Sequence, residues 1–502
     1  MKAKISTYIL TLIVLTGFFA CEDLDETPLG FETAETAFQS LENFESLNVG
    51  ALRTLGSINW FGLLSGSKAV EGGPLFDTYS FAPSESVFSS YWTSSYLAIN
   101  NVNNVIDNID QAESGTEQER NNALGQAHFL RAFAYFNLVR LFGEVPLITV
   151  GVTESNNLLS DVARTPISEV YSQIVADMQK AESLLPDSNP EGLPTSWAAK
   201  AYLSKIYLTM ATSPMNIASN YQLAADKAKE IMDNGPFSLT SEFAEIHMEG
   251  NPEVIFEFVN STDAGSDFAN EIFQTTSFRG IGNPGNRVFR RFLDEYPEGP
   301  RKEALFYLNA EDTSVTSFLE SVDGNGEFLN PAWRAANNYD QPDELKYFVK
   351  DSREFSYTKK YTYGSQGQTG NQSDQNIILF RYAEVLLIFA EASNMATGSA
   401  GPEEFDAINQ VRLRGIGPGS ELTGLGQDEF DMAVIEERYL EFAFELKRWY
   451  DVLRKEIPLT FDIYDGSGNF TENQAAFPDR FLFPIPQSER DLNPELTQNE
   501  GY

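Results

Sequence analysis

Residues 116–142 place the strongest constraint on what this chain can fold into. Apolar or small side chains recur three to four positions apart along the segment, which is the spacing of one face of an α-helix. Phe129, Phe133 and Phe136 line a second face, so we predict a helix that is buried on two sides. A capping box that begins at Thr116 starts this helix. Because both sides need apolar neighbours, the segment predicts a scaffold of several packed helices.

Eight further segments have the apolar spacing of helices. Small residues, mainly alanine, recur along several of them, as they do where helix pairs face each other in tetratricopeptide-type arrays. The spacing between these segments is irregular, so the chain lacks a regular repeat of about 34 residues. The predicted helices comprise residues 33–55, 90–112, 167–185, 195–210, 220–233, 377–395, 403–413 and 431–454.

Two loop-rich regions, residues 56–89 and 236–375, interrupt the helical pattern. Gly, Asn, Asp, Ser and Pro are frequent there, and residues 253–259 have the alternation of a strand. Loops of this length inside a compact protein are usually functional. We therefore predict a single domain over residues 31–502, with both irregular regions on one side of a helical scaffold. The scaffold comprises residues 31–55, 90–235 and 376–455, and a C-terminal segment comprises residues 456–502.

The first twenty residues have the features of a secretory signal. Two lysines precede an apolar stretch that is too short to span a bilayer comfortably, which argues against the alternative of a membrane anchor. Cys21, the only cysteine of the chain, directly follows Phe-Phe-Ala, an arrangement that resembles a bacterial lipobox. We therefore predict a lipoprotein signal peptide at residues 1–20, a lipid on Cys21 and an acidic tether at residues 21–30.

Charge and residue usage exclude several classes of function. The chain has 73 acidic and 35 basic residues, and its net charge of −38 opposes the binding of nucleic acid. One cysteine and two histidines are too few for a disulfide or a zinc site, and the sequence lacks the motifs of nucleotide-binding loops, zinc proteases and serine hydrolases. We predict neither a metal nor a cofactor.

Charged residues recur at helical spacing within two apolar segments. One interpretation is general acid and base catalysis by paired carboxylates. The other is ion pairing within and between helices, which we favour because no Gly, His or Asn typical of a catalytic cleft accompanies them. His128 lies beside the two-sided helix and is predicted to be structural, whereas His247 stands in a loop. The charged residues are Arg381, Glu384 and Glu391 in the first segment, and Arg438, Glu441, Glu445 and Arg448 in the second.

Four segments, in this order, resemble the SusD/RagB family, the surface glycan-binding lipoproteins of Bacteroidetes. Any one of them alone could be a coincidence of helix-forming residues, but in this order, in a chain that begins with a lipobox-like segment, they are highly specific. The resemblance covers nearly the whole chain after Cys21. They are FLRAFAYFNLVRLFGEVPL at 129–147, ILFRYAEVLLIFAEA at 378–392 followed by INQVRLR at 408–414, EERYLEFAFELKRWYDVLR at 436–454, and FLFPIPQSERDLNPELTQNEGY at 481–502.

The resemblance implies a mostly all-α, SusD-like fold with four tetratricopeptide-like helix pairs, a loop-rich ligand-binding region and few short strands. It implies a protein without enzymatic activity, at the cell surface in the outer membrane, that captures a glycan and delivers it to a SusC-like TonB-dependent transporter. The acidic tether resembles the signal that exports such lipoproteins to the outer face of that membrane. Two alternatives remain: a surface-anchored endo-glycoside hydrolase, and a helical-repeat lipoprotein that binds protein or peptide.

Sugar rings pack on flat aromatic faces, while amide, carboxylate and guanidinium groups bind the hydroxyls. Trp92, Trp197 and Trp449 fall on predicted helices and are therefore predicted to be core residues. The acidity of the chain favours a neutral glycan. The loop residues predicted to contact it are Asn59, Trp60, Phe61, Asp77, Tyr79 and Phe81 in the first irregular region, and Arg287, Tyr296, Trp333, Arg334, Asn337, Asn338 and Tyr339 in the second.

Overall fold

A computed structural model describes residues 38–58, 81–152, 161–248, 250–260, 288–306, 355–356, 360, 376–457, 461–464, 470–473 and 482–502. The helices in this part of the chain are α1 (Leu41–Gly56), α2 (Ser86–Asn108), α3 (Glu117–Phe142), α4 (Ile167–Leu184), α5 (Ser196–Ala211), α6 (Asn220–Asn234), α7 (Arg290–Glu295), α8 (Pro300–Leu305), α9 (Tyr382–Thr397), α10 (Pro402–Gly415), α11 (Gln427–Glu441), α12 (Arg448–Lys455) and α13 (Gln487–Leu492). Two short 3-10 helices are Ile109–Gln111 and Phe243–His247. The strands are β1 (Val254–Phe258), β2 (Val288–Phe289), β3 (Phe355–Ser356), β4 (Ile377–Arg381), β5 (Phe461–Tyr464) and β6 (Phe470–Asn473).

The long helices pack in sequence order into one array. Helix α1 pairs with α2, α3 with α4, α5 with α6 and α9 with α10, and each pair also contacts the next. The prediction of a mostly α-helical fold built from helix pairs is therefore confirmed. None of the helices in the described residues combines the length and the hydropathy that a bilayer crossing requires.

Helix α3 lies inside this array, as its two apolar faces predict. Phe129 and Phe136 are fully buried, and α3 packs against α2 on one side and α4 on the other. The capping box at its start is confirmed: the Thr116 hydroxyl accepts from the Glu119 amide at 3.2 Å, and the Glu119 carboxylate accepts from the Thr116 amide at 2.7 Å. Gly143 ends the helix with a positive φ of 73°.

The prediction of one helix over residues 377–395 is wrong at its start. The first five residues form β4, which pairs antiparallel with β1, and α9 begins only at Tyr382. The predicted strand at residues 253–259 is confirmed as β1. A short apolar run fits a strand or a helix equally well, so here the backbone partner decides the conformation.

The predicted helix over residues 431–454 is two helices, α11 and α12, separated by a tight turn. Phe444 and Leu446 in this turn have positive φ angles of 67° and 59°, a conformation that side chains other than glycine rarely adopt. Phe444 packs edge-on against Phe292 and Phe306 in a small second core. Burial of the Phe444 ring offsets the local strain, which no helical periodicity reveals.

Most of the second irregular region is an insertion between two paired strands. It leaves the array after β1 and rejoins it at β4, and the Asn260 amide donates to Asn376 Oδ1 at 3.0 Å across this neck. Helices α7 and α8 of the insertion pack through the second core against the 3-10 helix Phe243–His247 and the end of α11. The insertion therefore begins and ends at one point of the helical array.

Candidate functional site

Most residues predicted to contact a glycan lie outside the described residues. The same holds for Cys21, the predicted lipid attachment point. Their roles therefore stay predictions. The residues concerned are Asn59, Trp60, Phe61, Asp77, Tyr79, Arg287, Trp333, Arg334, Asn337, Asn338 and Tyr339.

Tyr296, in contrast, is a core residue. Only 3% of its surface is exposed, and its hydroxyl donates to the Leu440 carbonyl at 2.6 Å. Its ring packs edge-on against Phe292 and Phe306. In this structure the ring is not available to a sugar, contrary to the prediction, because the loop around it folds onto the second core.

Phe81 is likewise buried, contrary to the prediction that it contacts ligand. Its ring packs edge-on against Phe88 and Phe483. The core assignment of the helical tryptophans is confirmed for Trp92, which is fully buried, and for Trp449, which stacks on Phe483 with ring centroids 5.6 Å apart. Trp197 is half-buried and packs against the same core.

Glu441 is the centre of a buried ion-pair network. Its carboxylate accepts from Arg381 at 2.6 Å and Arg301 at 2.7 Å, and it also pairs with Arg414. Burial by itself raises the pKa of the Glu441 carboxyl, but the three guanidinium groups outweigh this and lower it to about 2. These contacts join α8, α10, α11 and β4.

The same arrangement recurs around α9. Glu384 accepts from Lys205 at 2.9 Å and Lys447 at 2.5 Å, and Glu391 pairs with Arg454 and Lys455. Although burial raises the pKa of both carboxyls, the surrounding cations hold it far below the usual range. Carboxylates kept ionised in this way cannot donate a proton as general acids near neutral pH. The interpretation of these acids as ion-pair partners is therefore confirmed.

His128 belongs to an ion-paired cluster, and His247 is buried. His128 Nδ1 lies 2.7 Å from Asp177, which Arg131 also binds through two nitrogens. His247 belongs to the 3-10 helix Phe243–His247 rather than to a loop, and it is 5% exposed. Burial lowers the pKa of His247 to about 3, so its ring is neutral at physiological pH.

An open cleft of about 670 Å³ lies beside the neck of the insertion. It is bounded by the loop between α4 and α5, by the 3-10 helix and the turn after it, and by β1. Phe256 and Phe258 of β1 pack against rings of α3, and Glu257 and Val259 lie on the opposite face of the strand. Of these four residues, all except Phe258 line the cleft. This alternation is the ordinary two-sidedness of a strand.

Two carboxyl groups from distant parts of the chain meet in this cleft. Glu257 comes from β1 and Glu191 from the α4–α5 loop, and Asn376 Nδ2 donates to the Glu191 carboxylate at 3.0 Å. Burial, together with the neighbouring Glu191, raises the pKa of the Glu257 carboxyl to about 7, although the Asn376 side chain offsets part of this. The cleft was not predicted from the sequence. The one signal for it there was Glu257, a glutamate within an otherwise apolar strand.

Two family models match the chain. One, described as "SusD family", matches residues 298–502, and another, described as "Starch-binding associating with outer membrane", matches residues 65–208. SusD-like protein P2 of Formosa agariphila is 30% identical over 100% of both chains. Starch-binding protein SusD of Bacteroides thetaiotaomicron is 23% identical and covers 78% of this chain and 75% of its own length.

Solved structures share the fold. A SusD superfamily protein from Parabacteroides distasonis has a TM-score of 0.74 at 24% identity, and the match covers 92% of this chain and 99% of the other. Another structure, which contains a xylogluco-oligosaccharide, has a TM-score of 0.68 at 20% identity and covers 90% of this chain and 97% of its own.

Proposed function

This chain belongs to the SusD/RagB family, and from that premise we propose that it is a cell-surface lipoprotein that binds a glycan and delivers it to a SusC-like TonB-dependent outer-membrane transporter. The full-length similarity to SusD-like proteins carries the proposal. One relative is a starch-binding protein, one solved structure contains an oligosaccharide, and one family description includes association with the outer membrane. Glycan capture is therefore the function most consistent with this family.

We place the glycan on the two irregular regions. The segment 59–80 starts and ends at buried core residues, Ile58 and Phe81, and the insertion is closed at its neck by Asn260 and Asn376. Loops that leave a rigid scaffold at fixed points are well suited to present binding residues. The predicted aromatic and polar residues of these loops are the proposed contacts, and the charge of −38 favours a neutral glycan.

Three of the acids that could have served the hydrolase alternative belong instead to the buried network. Glycoside hydrolases place two carboxyl groups on either side of the scissile bond, with one of them able to donate a proton. Glu384, Glu391 and Glu441 are instead each held by at least two cations within the core. These acids therefore contribute to packing and not to a catalytic cleft.

Calorimetry combined with an activity assay tests the proposal. The chain from Cys21 onward, with Cys21 replaced by Ala to keep it lipid-free, would be titrated with maltoheptaose, cellohexaose, xylohexaose, mannohexaose and laminarihexaose. We expect saturable binding of at least one oligosaccharide and no new reducing ends in the same samples. New reducing ends would favour the hydrolase, whereas no binding to any sugar would favour the protein- or peptide-binding alternative.

A further inference from the structure

Glu257 differs from the carboxylates of the buried network. Glu253, Glu384, Glu391, Glu437, Glu441 and Glu445 each face at least one arginine or lysine. Glu257 is half-buried on the outer side of β1 and instead faces Glu191 and Asn376. Two carboxyl groups placed together in a cleft raise the free energy of the folded state, and such arrangements concentrate at functional sites.

The charged and polar groups of the cleft wall indicate which class of ligand it can bind. Among its described lining residues the charged or titratable groups are Glu191, Glu257 and the neutral His247, and no arginine or lysine lines it. The amide groups of Asn189 and Asn251 already donate to backbone carbonyls and therefore shape the loops. An anionic ligand would meet repulsion, whereas a ligand that donates hydrogen bonds would find two acceptors.

The cleft also has an apolar part. Val259 is 39% exposed and Met248 is 46% exposed, and both side chains line it together with Leu193. Its volume of about 670 Å³ falls within the range of about 300–1,000 Å³ that is usual for small-molecule sites. A sugar ring combines adjacent hydroxyl donors with an apolar C–H face, so it matches both parts of this wall.

We propose that this cleft is a saccharide-binding site in addition to the one predicted at the loop residues Trp60 and Trp333. Adjacent hydroxyl groups of a neutral sugar donate to Glu191 and Glu257, and the C–H face of the ring packs on Val259 and Met248. The site rests on the proposed function, because a protein that binds no glycan has no use for it. A bound sugar would bridge the α4–α5 loop and the β1–β4 neck from which the insertion departs.

Methionine-methyl NMR of the lipid-free chain provides a direct readout. With ¹³C-methyl methionine labelling, Met248 reports on the cleft, and Met432, which is exposed on α11 outside the cleft, is the matched control. Met248→Leu assigns the first resonance. On titration with the oligosaccharides of the calorimetric panel, we expect a saturable shift of the Met248 methyl and none of Met432.

Charge-removing variants test the role of the two carboxyl groups. At pH 8, where Glu257 is largely ionised, Glu191→Gln and Glu257→Gln should each weaken the affinity measured at Met248 by about tenfold, since each removes a hydrogen bond to a charged acceptor. Glu242→Gln, at an exposed glutamate outside the cleft, should leave it unchanged. Glu191 is itself exposed, so its variant keeps the test informative if Glu257→Gln folds poorly.

The pH dependence separates a binding role from a packing role. The pKa of about 7 means that Glu257 becomes fully ionised only above neutral pH, so wild-type affinity at Met248 should rise between pH 6 and pH 8. Among the described residues, the other titratable groups that line the cleft are Glu191 and His247, and the latter stays neutral over this interval. Glu257→Gln should abolish this rise in affinity. If Glu257 acts only through packing, the variant should keep the pH-dependent rise.

Three results would overturn the proposal, and they point to different errors. If calorimetry detects sugar binding but the Met248 methyl does not move, the cleft is wrong and the proposed function stands. If millimolar CaCl₂ shifts Met248 and sugar does not, the site binds a cation. If the wild-type chain binds no oligosaccharide by either method, the proposed function itself fails.

Discussion

Arg381 illustrates what individual residues contribute to this molecule. Its guanidinium is fully buried at the junction of β4 and α9, and it binds Glu253, Glu441 and Glu445. Removing these charges from water costs free energy that their attraction only partly returns. The arrangement is therefore better understood as a way to define which elements meet, because each misplaced element would leave a charge unpaired.

Glu441→Gln should destabilise the protein strongly. It keeps the volume but removes the charge that Arg301, Arg381 and Arg414 share, leaving buried guanidinium groups undercompensated. We expect a loss of about 3–5 kcal/mol in the free energy of unfolding, measured by urea denaturation. Glu436→Gln, at an exposed position on the same helix, should stay within about 0.5 kcal/mol of wild type. Equal stabilities of both variants would contradict the role of the network.

Trp60→Ala and Trp333→Ala should each weaken glycan binding about tenfold, because each removes an aromatic face on which a sugar ring packs. The melting temperature should not change. Trp197→Ala serves as the control, since this half-buried tryptophan of α5 should lower the melting temperature and leave the affinity of the folded protein intact. Wild-type calorimetric affinity in both loop variants would show that these residues are not ligand contacts.

At the scale of elements, local sequence signals set some helix boundaries, and tertiary contacts set other helix boundaries. Helix α3 begins at its capping box, which operates within four residues of sequence. The turn between α11 and α12 instead depends on Phe444, whose ring is buried by residues of the insertion. A boundary of the second kind is formed by distant residues, and nearby sequence does not reveal it.

Thr116→Ala removes the side-chain acceptor of the Glu119 amide at the start of α3. We expect a loss of about 1 kcal/mol in the free energy of unfolding, measured by urea denaturation. Thr116→Ser keeps the hydroxyl and should lower the free energy of unfolding by no more than about 0.3 kcal/mol. If Ser and Ala are equally destabilising, the methyl group of Thr116, and not its hydroxyl, is what matters.

At the scale of the whole molecule, the distribution of charge matters more than its sum. The chain has 38 more acidic than basic residues, and several of its arginines and lysines are enclosed in the buried network. The network encloses nearly as many acidic side chains, so its charges largely cancel among the described residues and the acidic excess lies outside it. A body of this kind repels anionic polymers, which is consistent with the proposal of a neutral glycan.

Cys21→Ala should release the protein from the membrane, because the predicted lipid on this residue is the proposed anchor. Fractionation without detergent should find wild type in the outer-membrane pellet and the variant in the soluble fraction. The comparison needs a strain that lacks the partner transporter, since a tight complex would hold the variant in place. A variant that still sediments in that strain would rule out lipid as the sole attachment.

The sequence alone determined the helical scaffold, the start of α3, the strand at β1 and the family, because these depend on periodicity, capping and motifs that short segments carry. Only the tertiary structure decided that residues 377–381 pair with β1, that Phe444 breaks a helix and that Tyr296 is buried. It also brought Glu191 and Glu257 together in one cleft. The physical reason is the same in each case: the deciding partner is remote in sequence, and burial and charge pairing are properties of the assembled core.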